Sequence, residues 1–221
     1  MYSLAFLCAA LLPLAAAGQT AEDYDKRARE IVIRMTLDEK LAELHGIRDA
    51  THDRYVPGVP RLGVPELRIT NGPAGAGPDG AGPQPKATAL PAPISLAATW
   101  DPGLAKRYGK VVGGESRLLG NGLVEAPTIN IARVPQNGRT FEGFGEDPYL
   151  SGQISAQNII GIQSEHIIAD VKHYAANNQE TDRRTVNEEV DERTLREIYL
   201  PAFEVSIREG HATSLMCAYP K

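Results

Sequence analysis

The chain has 221 residues and a formal charge of -5, a length that suits one domain, or part of a larger one, with a substantial core. The weak negative balance argues against a general nucleic-acid binder, because a phosphate backbone rewards concentrated positive charge. The sequence holds no Cys-His cluster, zinc motif, Walker loop or Gly-x-Ser-x-Gly elbow, so neither a metal nor a cofactor is expected.

Residues 4–17 form an apolar run rich in Leu and Ala, ending in Ala15-Ala16-Ala17 before the polar Gly18-Gln19-Thr20. Small residues at that point fit a signal peptidase site. Residues 1–17 therefore read as a signal peptide cleaved after Ala17, although its first residues carry no Lys or Arg. The run is short for a membrane span. Secretion is the expectation, with no membrane contact once the signal is removed. Cys8 would leave with the signal. Cys217 would then be the last cysteine, either buried and inert or awaiting a partner.

The spacing predicts a helix over residues 20–35, with Thr20 and Asp23 at its cap and Tyr24, Ala28, Ile31 and Met35 along one face. A second helix starts at the capping box of Thr36 and Glu39, shows an apolar face of Leu37, Leu41 and Leu44, and ends at Gly46. Residues 48–60 read as loop. A short strand over residues 67–70 opens into Asn71-Gly72-Pro73-Ala74-Gly75. Residues 72–93 are dominated by Gly, Pro and Ala, a surface loop or a lid near a site. Asp101-Pro102 is a cap with proline at the first helical position, and the helix reaches about Leu119. Pro127 interrupts the next apolar run, so a strand is expected over residues 128–131. Asp147-Pro148 repeats the cap-and-proline start for a helix over 149–160. A strand over 167–171, a helix over 188–206 and a last strand over 214–218 complete the pattern.

Strands and helices alternate, and no hairpin is evident. That implies a parallel sheet with helices outside it. Three expected strand ends, Thr70, Ile131 and Val171, lead into Asn71, Arg133 and Lys172-His173. Chemistry gathers at such positions in a (β/α)8 barrel and equally in a doubly wound open sheet. About four strands fit in this length, half of what a closed barrel needs.

A cation and an imidazole side by side at Lys172-His173 can donate hydrogen bonds to a hydroxyl-rich ligand. They would equally serve an anion or cap a helix. Arg139 lies in a loop dense in charge, where Glu146 and Asp147 read as an ion-paired lead into a helix. Arg133 is the better ligand candidate, being closer to the expected strand end. Asn177, Asn178 and Gln179 suit a neutral polyol, or simply a solvated loop. No Asp or Glu is marked by sequence as one of the carboxylate pair that glycoside hydrolysis needs.

In order and separation, these residues resemble the N-terminal domain of family 3 glycoside hydrolases, a group of β-glucosidases, β-xylosidases and related exo-acting enzymes. The resemblance is carried by Met35-Thr-Leu-Asp-Glu-Lys40, Leu62-Gly-Val-Pro-Glu-Leu67 and Asn71-Gly-Pro-Ala-Gly75. Leu96-Ala-Ala-Thr-Trp100-Asp101, Ala126-Pro-Thr-Ile-Asn-Ile131, Arg133, Gly138-Arg-Thr-Phe-Glu142 and Glu146-Asp-Pro148 follow. Val171-Lys-His173, Ala176-Asn177-Asn178 and Leu195-Arg-Glu-Ile-Tyr-Leu-Pro201 complete it. It implies an incomplete (β/α)8 TIM-type barrel, roughly its first half, over residues 18–221. It implies hydrolysis of terminal non-reducing β-D-glucosyl or related β-glycosyl residues by the retaining mechanism. Asn71, Arg133, Lys172 and His173 would bind the substrate, a β-linked glycoside or oligosaccharide. The family nucleophile and acid/base are expected beyond Lys221, so the 221 residues alone are expected to be inactive. A non-catalytic carbohydrate-binding or interaction remnant is the alternative, and self-association of the incomplete barrel is a further expectation. One departure stands out: many members carry Asp where this chain has Asn71, and an amide lacks the charge-assisted strength of a carboxylate.

Overall fold

The computed structural model describes residues 20–49, 52, 54–77 and 86–221. The expected signal peptide, including Cys8, lies outside the described residues, as does the middle of the Gly-, Pro- and Ala-rich stretch. Among the described residues no helix is long and apolar enough to cross a membrane.

Five strands form one sheet in the order β1-β2-β3-β4-β5. They are β1 (Tyr55–Val56), β2 (Leu67–Asn71), β3 (Leu123–Glu125), β4 (Ile168–Tyr174) and β5 (Ser214–Cys217). β1 pairs antiparallel with β2, and every later pair is parallel. Helices α4 (Pro102–Leu118), α5 (Pro148–Gln163) and α7 (Pro201–Arg208) occupy the successive connections between parallel strands. Each new strand lies beside the one before it. A doubly wound sheet reverses its strand order at a switch point, whereas a barrel does not. The monotonic order therefore separates the two architectures that strand pattern alone left open. The fold is α/β, with an incomplete sheet matching part of a (β/α)8 barrel.

Local chemistry explains the helix starts. Thr20 and Asp23 close a capping box ahead of α1 (Ala21–Arg34), and Thr36 and Glu39 do the same for α2 (Leu37–Ala42). Asp101 and Asp147 accept backbone N–H bonds at the starts of α4 and α5, each followed by proline at the first helical position. The main core gathers Leu96 of α3 (Pro93–Ala97), Val112 of α4, Ile154, Ile159 and Ile162 of α5, Val124 of β3, Val171 of β4 and Phe203 of α7. Each fully buried side chain of this size contributes roughly 1.5–3 kcal/mol relative to exposure. The expected apolar face of α2 is not buried: Leu37, Leu41 and Leu44 are exposed.

Three expectations change. Residues 48–60 are not all loop, because β1 lies there and pairs with β2 through Tyr55↔Arg68 and Val56↔Leu67. The third strand is Leu123–Glu125 and not residues 128–131. Proline has no N–H for the ladder, and beyond Pro127 only Thr128 bridges to β4, opposite Lys172. The long helix expected over 188–206 is broken. α6 (Glu192–Thr194) runs into a π-helical turn at Leu195–Tyr199, and α7 restarts at Pro201. Pro201 cannot donate a helix hydrogen bond and crowds the turn before it. The chain widens there, with Leu200 N bonded to Leu195 O at 2.9 Å.

Candidate active site

The C-terminal ends of β2, β3 and β4 hold the charged and amide side chains of one cluster. Asn71 ends β2 and lies opposite Glu125, which ends β3. The amide orientation that satisfies both its ends puts Nδ2 3.0 Å from Glu125 Oε2, as donor. Its Oδ1 lies 3.2 Å from Arg54 Nη2, as acceptor. Arg54 also donates to Glu125 Oε1. Lys172, on β4, places Nζ 3.7 Å from Glu125 Oε2. Glu125 is 7% exposed and Lys172 only 2%, so these charges answer one another inside the protein and not across solvent. Burial pushes the Lys172 ammonium below its ordinary range, and the carboxylates of Glu125 and Glu142 oppose that shift. Asp170 precedes Lys172 by two positions, on the same face of β4. It accepts a 2.5 Å hydrogen bond from Ser214 Oγ, while burial drives its carboxyl upward.

A second cluster surrounds His173. Asn130 fixes this residue three times: Nδ2 donates to His173 O at 2.9 Å, and Oδ1 accepts from His173 N at 3.0 Å. The same Oδ1 lies 2.8 Å from His173 Nδ1. Because the two backbone bonds set which end of the amide is oxygen, Nδ1 must carry the ring proton. Nε2 is then a lone-pair acceptor, 3.3 Å from the Arg139 guanidinium. Burial, reinforced by Lys172, Arg139 and Arg183, holds the imidazole neutral down to about 3. Arg139 grips Glu142 with two parallel bonds, 3.0 and 2.7 Å long, and reaches Glu180 at 3.5 Å. Glu180 in turn accepts from Arg183 at 2.8 Å. Thr128, Asn130, Arg139, His173 and Asn177 line a hollow of about 10 Å³, the size of one water.

Arg133 is placed differently. It is exposed, donates to the Tyr199 hydroxyl at 2.7 Å and packs its guanidinium over that ring. Asn178 donates to the same hydroxyl at 3.0 Å. The structure thus brings Lys172 and Asn71 together through Glu125, sets His173 beside Arg139, and gives Arg133 a separate partner. Arg54 and Glu125 escaped the sequence reading. Arg54 lay in an assumed loop. Glu125 was hidden because the strand end was sought after Pro127; a carboxylate following Leu123-Val124 and preceding Ala126-Pro127 was the available signal. Asp147 caps α5, as the Asp147-Pro148 pair predicts.

Each ammonium or guanidinium of the two clusters faces a carboxylate, which disfavours a free anion as ligand. The amides of Asn71, Asn130 and Asn177 and the Nε2 acceptor suit a neutral ligand rich in hydroxyls. Among the described residues no group of three or more His, Cys, Asp or Glu is arranged to hold a metal ion.

Comparison with known proteins gives the same direction. The sequence profile "Glycosyl hydrolase family 3 N terminal domain" matches residues 79–221. Beta-glucosidase B of Emericella nidulans is 43% identical over 189 residues, covering 86% of this chain and 22% of the relative. Beta-glucosidase BoGH3A of Bacteroides ovatus is 40% identical over 203 residues, covering 88% and 27%. Among solved structures, DesR, a beta-glucosidase from Streptomyces venezuelae in complex with D-glucose, superposes with a TM-score of 0.81 at 48% identity, covering 88% of this chain and 24% of DesR. Beta-glucosidase 3B from Thermotoga neapolitana, in complex with alpha-D-glucose, gives 0.82 at 38% identity, covering 88% and 29%. The chain therefore spans about a quarter of the length of these relatives. With the fold, the order of its motifs and the profile in agreement, the chain belongs to glycosyl hydrolase family 3, within its N-terminal domain.

Proposed function

We propose that the protein carrying this sequence hydrolyses terminal non-reducing β-D-glucosyl or related β-glycosyl residues with retention, and that these 221 residues supply the sugar-binding side of the site. The observation that carries this reading is Lys172-His173 at the C-terminal end of a parallel strand, with Lys172 buried against Glu125 and His173 locked by Asn130. Asn71, Lys172 and His173 hold hydroxyls of the terminal sugar. Arg133, bonded to the Tyr199 hydroxyl, is the fourth residue of this proposed set. These contacts raise the rate to the extent that they tighten as the ring flattens toward the oxocarbenium-like state. The names of the relatives, all beta-glucosidases, support the substrate class.

The test is a panel of aryl β-glycosides offered to the protein that carries this sequence. Release from the β-glucoside, lowered at least about a hundredfold by Lys172→Ala, is the expected result. Retention requires the first sugar product to be the β anomer by proton NMR; the α anomer would refute it. The 221 residues alone are inactive on this reading, which turnover by the purified chain would disprove. Secretion with cleavage after Ala17 belongs to the same proposal. A mature N-terminus other than about Gly18 would count against it.

A further inference from the structure

We propose that Asn71 and Glu125 act as one charge-defined unit, in which the single carboxylate sits on β3 and position 71 on β2 must therefore be an amide; Glu125 is the positioning residue that aims Asn71 and Lys172 at the sugar. This deepens the proposed glycosidase function and rests on it for the sugar.

The geometry assigns the unit. Glu125 Oε1 takes Arg54, and Oε2 takes both the Asn71 amide at 3.0 Å and the Lys172 ammonium at 3.7 Å. Asn71 is the one uncharged member, and it uses both ends: it donates to the carboxylate and accepts from the guanidinium. An Asp at position 71 keeps the acceptor but replaces the donor with a second oxygen. Two carboxylate oxygens would then face each other at about hydrogen-bond distance. Like charges that close, one of them on the buried Glu125, disfavour each other's ionised form. A proton must be taken up, or the side chains must part. Parting turns Lys172 and residue 71 away from the arrangement described above, while proton uptake keeps the two bonds but ties them to pH. The amide at 71 thus follows from the carboxylate at 125. The terminal sugar meets a neutral donor-acceptor at β2, with the negative charge withdrawn behind it at β3. Asn71 is exposed and Glu125 buried, which is the order such a relay requires.

A double-mutant cycle in the protein that carries this sequence decides the matter. Asn71→Asp alone and Glu125→Gln alone are each expected to raise KM for an aryl β-glucoside about tenfold or more. The exchanged pair, Asn71→Asp with Glu125→Gln, again sets one carboxylate against one amide and is expected to show a KM at least about fivefold below the product of the two single effects, although Lys172 loses its facing carboxylate. A purely structural role for Glu125 gives no such rescue; the two single effects then multiply to about a hundredfold, and the inference is overturned. Thermal unfolding of the same four proteins runs the cycle without substrate. Two lowered midpoints with recovery in the exchanged pair support the unit, and additive losses reject it. A parent protein that cleaves no β-glycoside refutes the proposed function, while the thermal cycle still decides the coupling.

Discussion

His173 shows how one side chain is set by its neighbours. Asn130 determines which ring nitrogen carries the proton, and burial with nearby cations keeps the ring neutral down to about 3. The sign of the consequence is fixed. The unfolded chain binds a proton at this histidine below about 6.5, while the folded protein refuses it until about 3. Folding stability from this residue is therefore complete above 6.5 and falls as pH drops from 6.5 toward 3. Asp170 works in the opposite sense, because its raised carboxyl holds a proton that the unfolded chain has already lost. Replacing His173 with Asn should flatten the loss of melting temperature between pH 6.5 and 3. An unchanged slope in the variant would show that the imidazole titrates normally. Lys172 and His173 were legible in the sequence because they directly follow an apolar strand. Their partners were not. Glu125 and Arg54 lie 47 and 118 positions upstream of Lys172 by residue number, and no local pattern links them.

At the scale of elements, the close fit of α4 against α5 decides how the strands are spaced. Gly109 of α4 meets the Asn158 carbonyl of α5: a Cβ added there would lie 2.1 Å from that oxygen. Gly161 of α5 meets the Lys106 carbonyl at 2.2 Å in the same sense. Backbone lies against backbone at both points, and no flexible side chain can move aside. Gly109→Ala is therefore expected to destabilise the fold by about 1–3 kcal/mol through overpacking, despite alanine's better helix propensity. Chemical denaturation would register this, and a stabilised variant would show that the helices separate freely. Sequence periodicity located both helices within a few residues because Asp-Pro caps and apolar spacing are local signals. It could not foresee that the two glycines mark a helix contact. It also overran at Pro201, where the π-helical turn answers a missing donor with a wider hydrogen bond.

At the scale of the molecule, the sheet has two unequal sides. β1 blunts one end by an antiparallel pairing of two residues. At the other end β5 pairs with β4 alone among the described residues, and Leu215 and Met216 are only partly buried. An unpaired strand edge with apolar side chains invites pairing with another chain. The 221-residue chain is accordingly expected to self-associate. Sedimentation velocity should show mass rising with concentration, whereas a single monomeric species with a cooperative melt would refute this. Cys217 lies on the same strand and is exposed within these 221 residues.

The sequence by itself determined the alternation of strands and helices, the capped helix starts and the family resemblance. All of these are written in residues close together along the chain, where hydrogen-bonding and spacing rules act directly. It also marked Asn71 as a departure, without giving the cause. Only the tertiary structure decided the strand order that separates a barrel from an open sheet, the end of β3 at Glu125, and the company each polar group keeps. Strand order and charge pairing depend on contacts between distant segments, and their energies follow burial and distance in space. Asn71 is where the two levels meet: an amide visible in the sequence, explained by a carboxylate 54 residues later that folding brings within 3.0 Å.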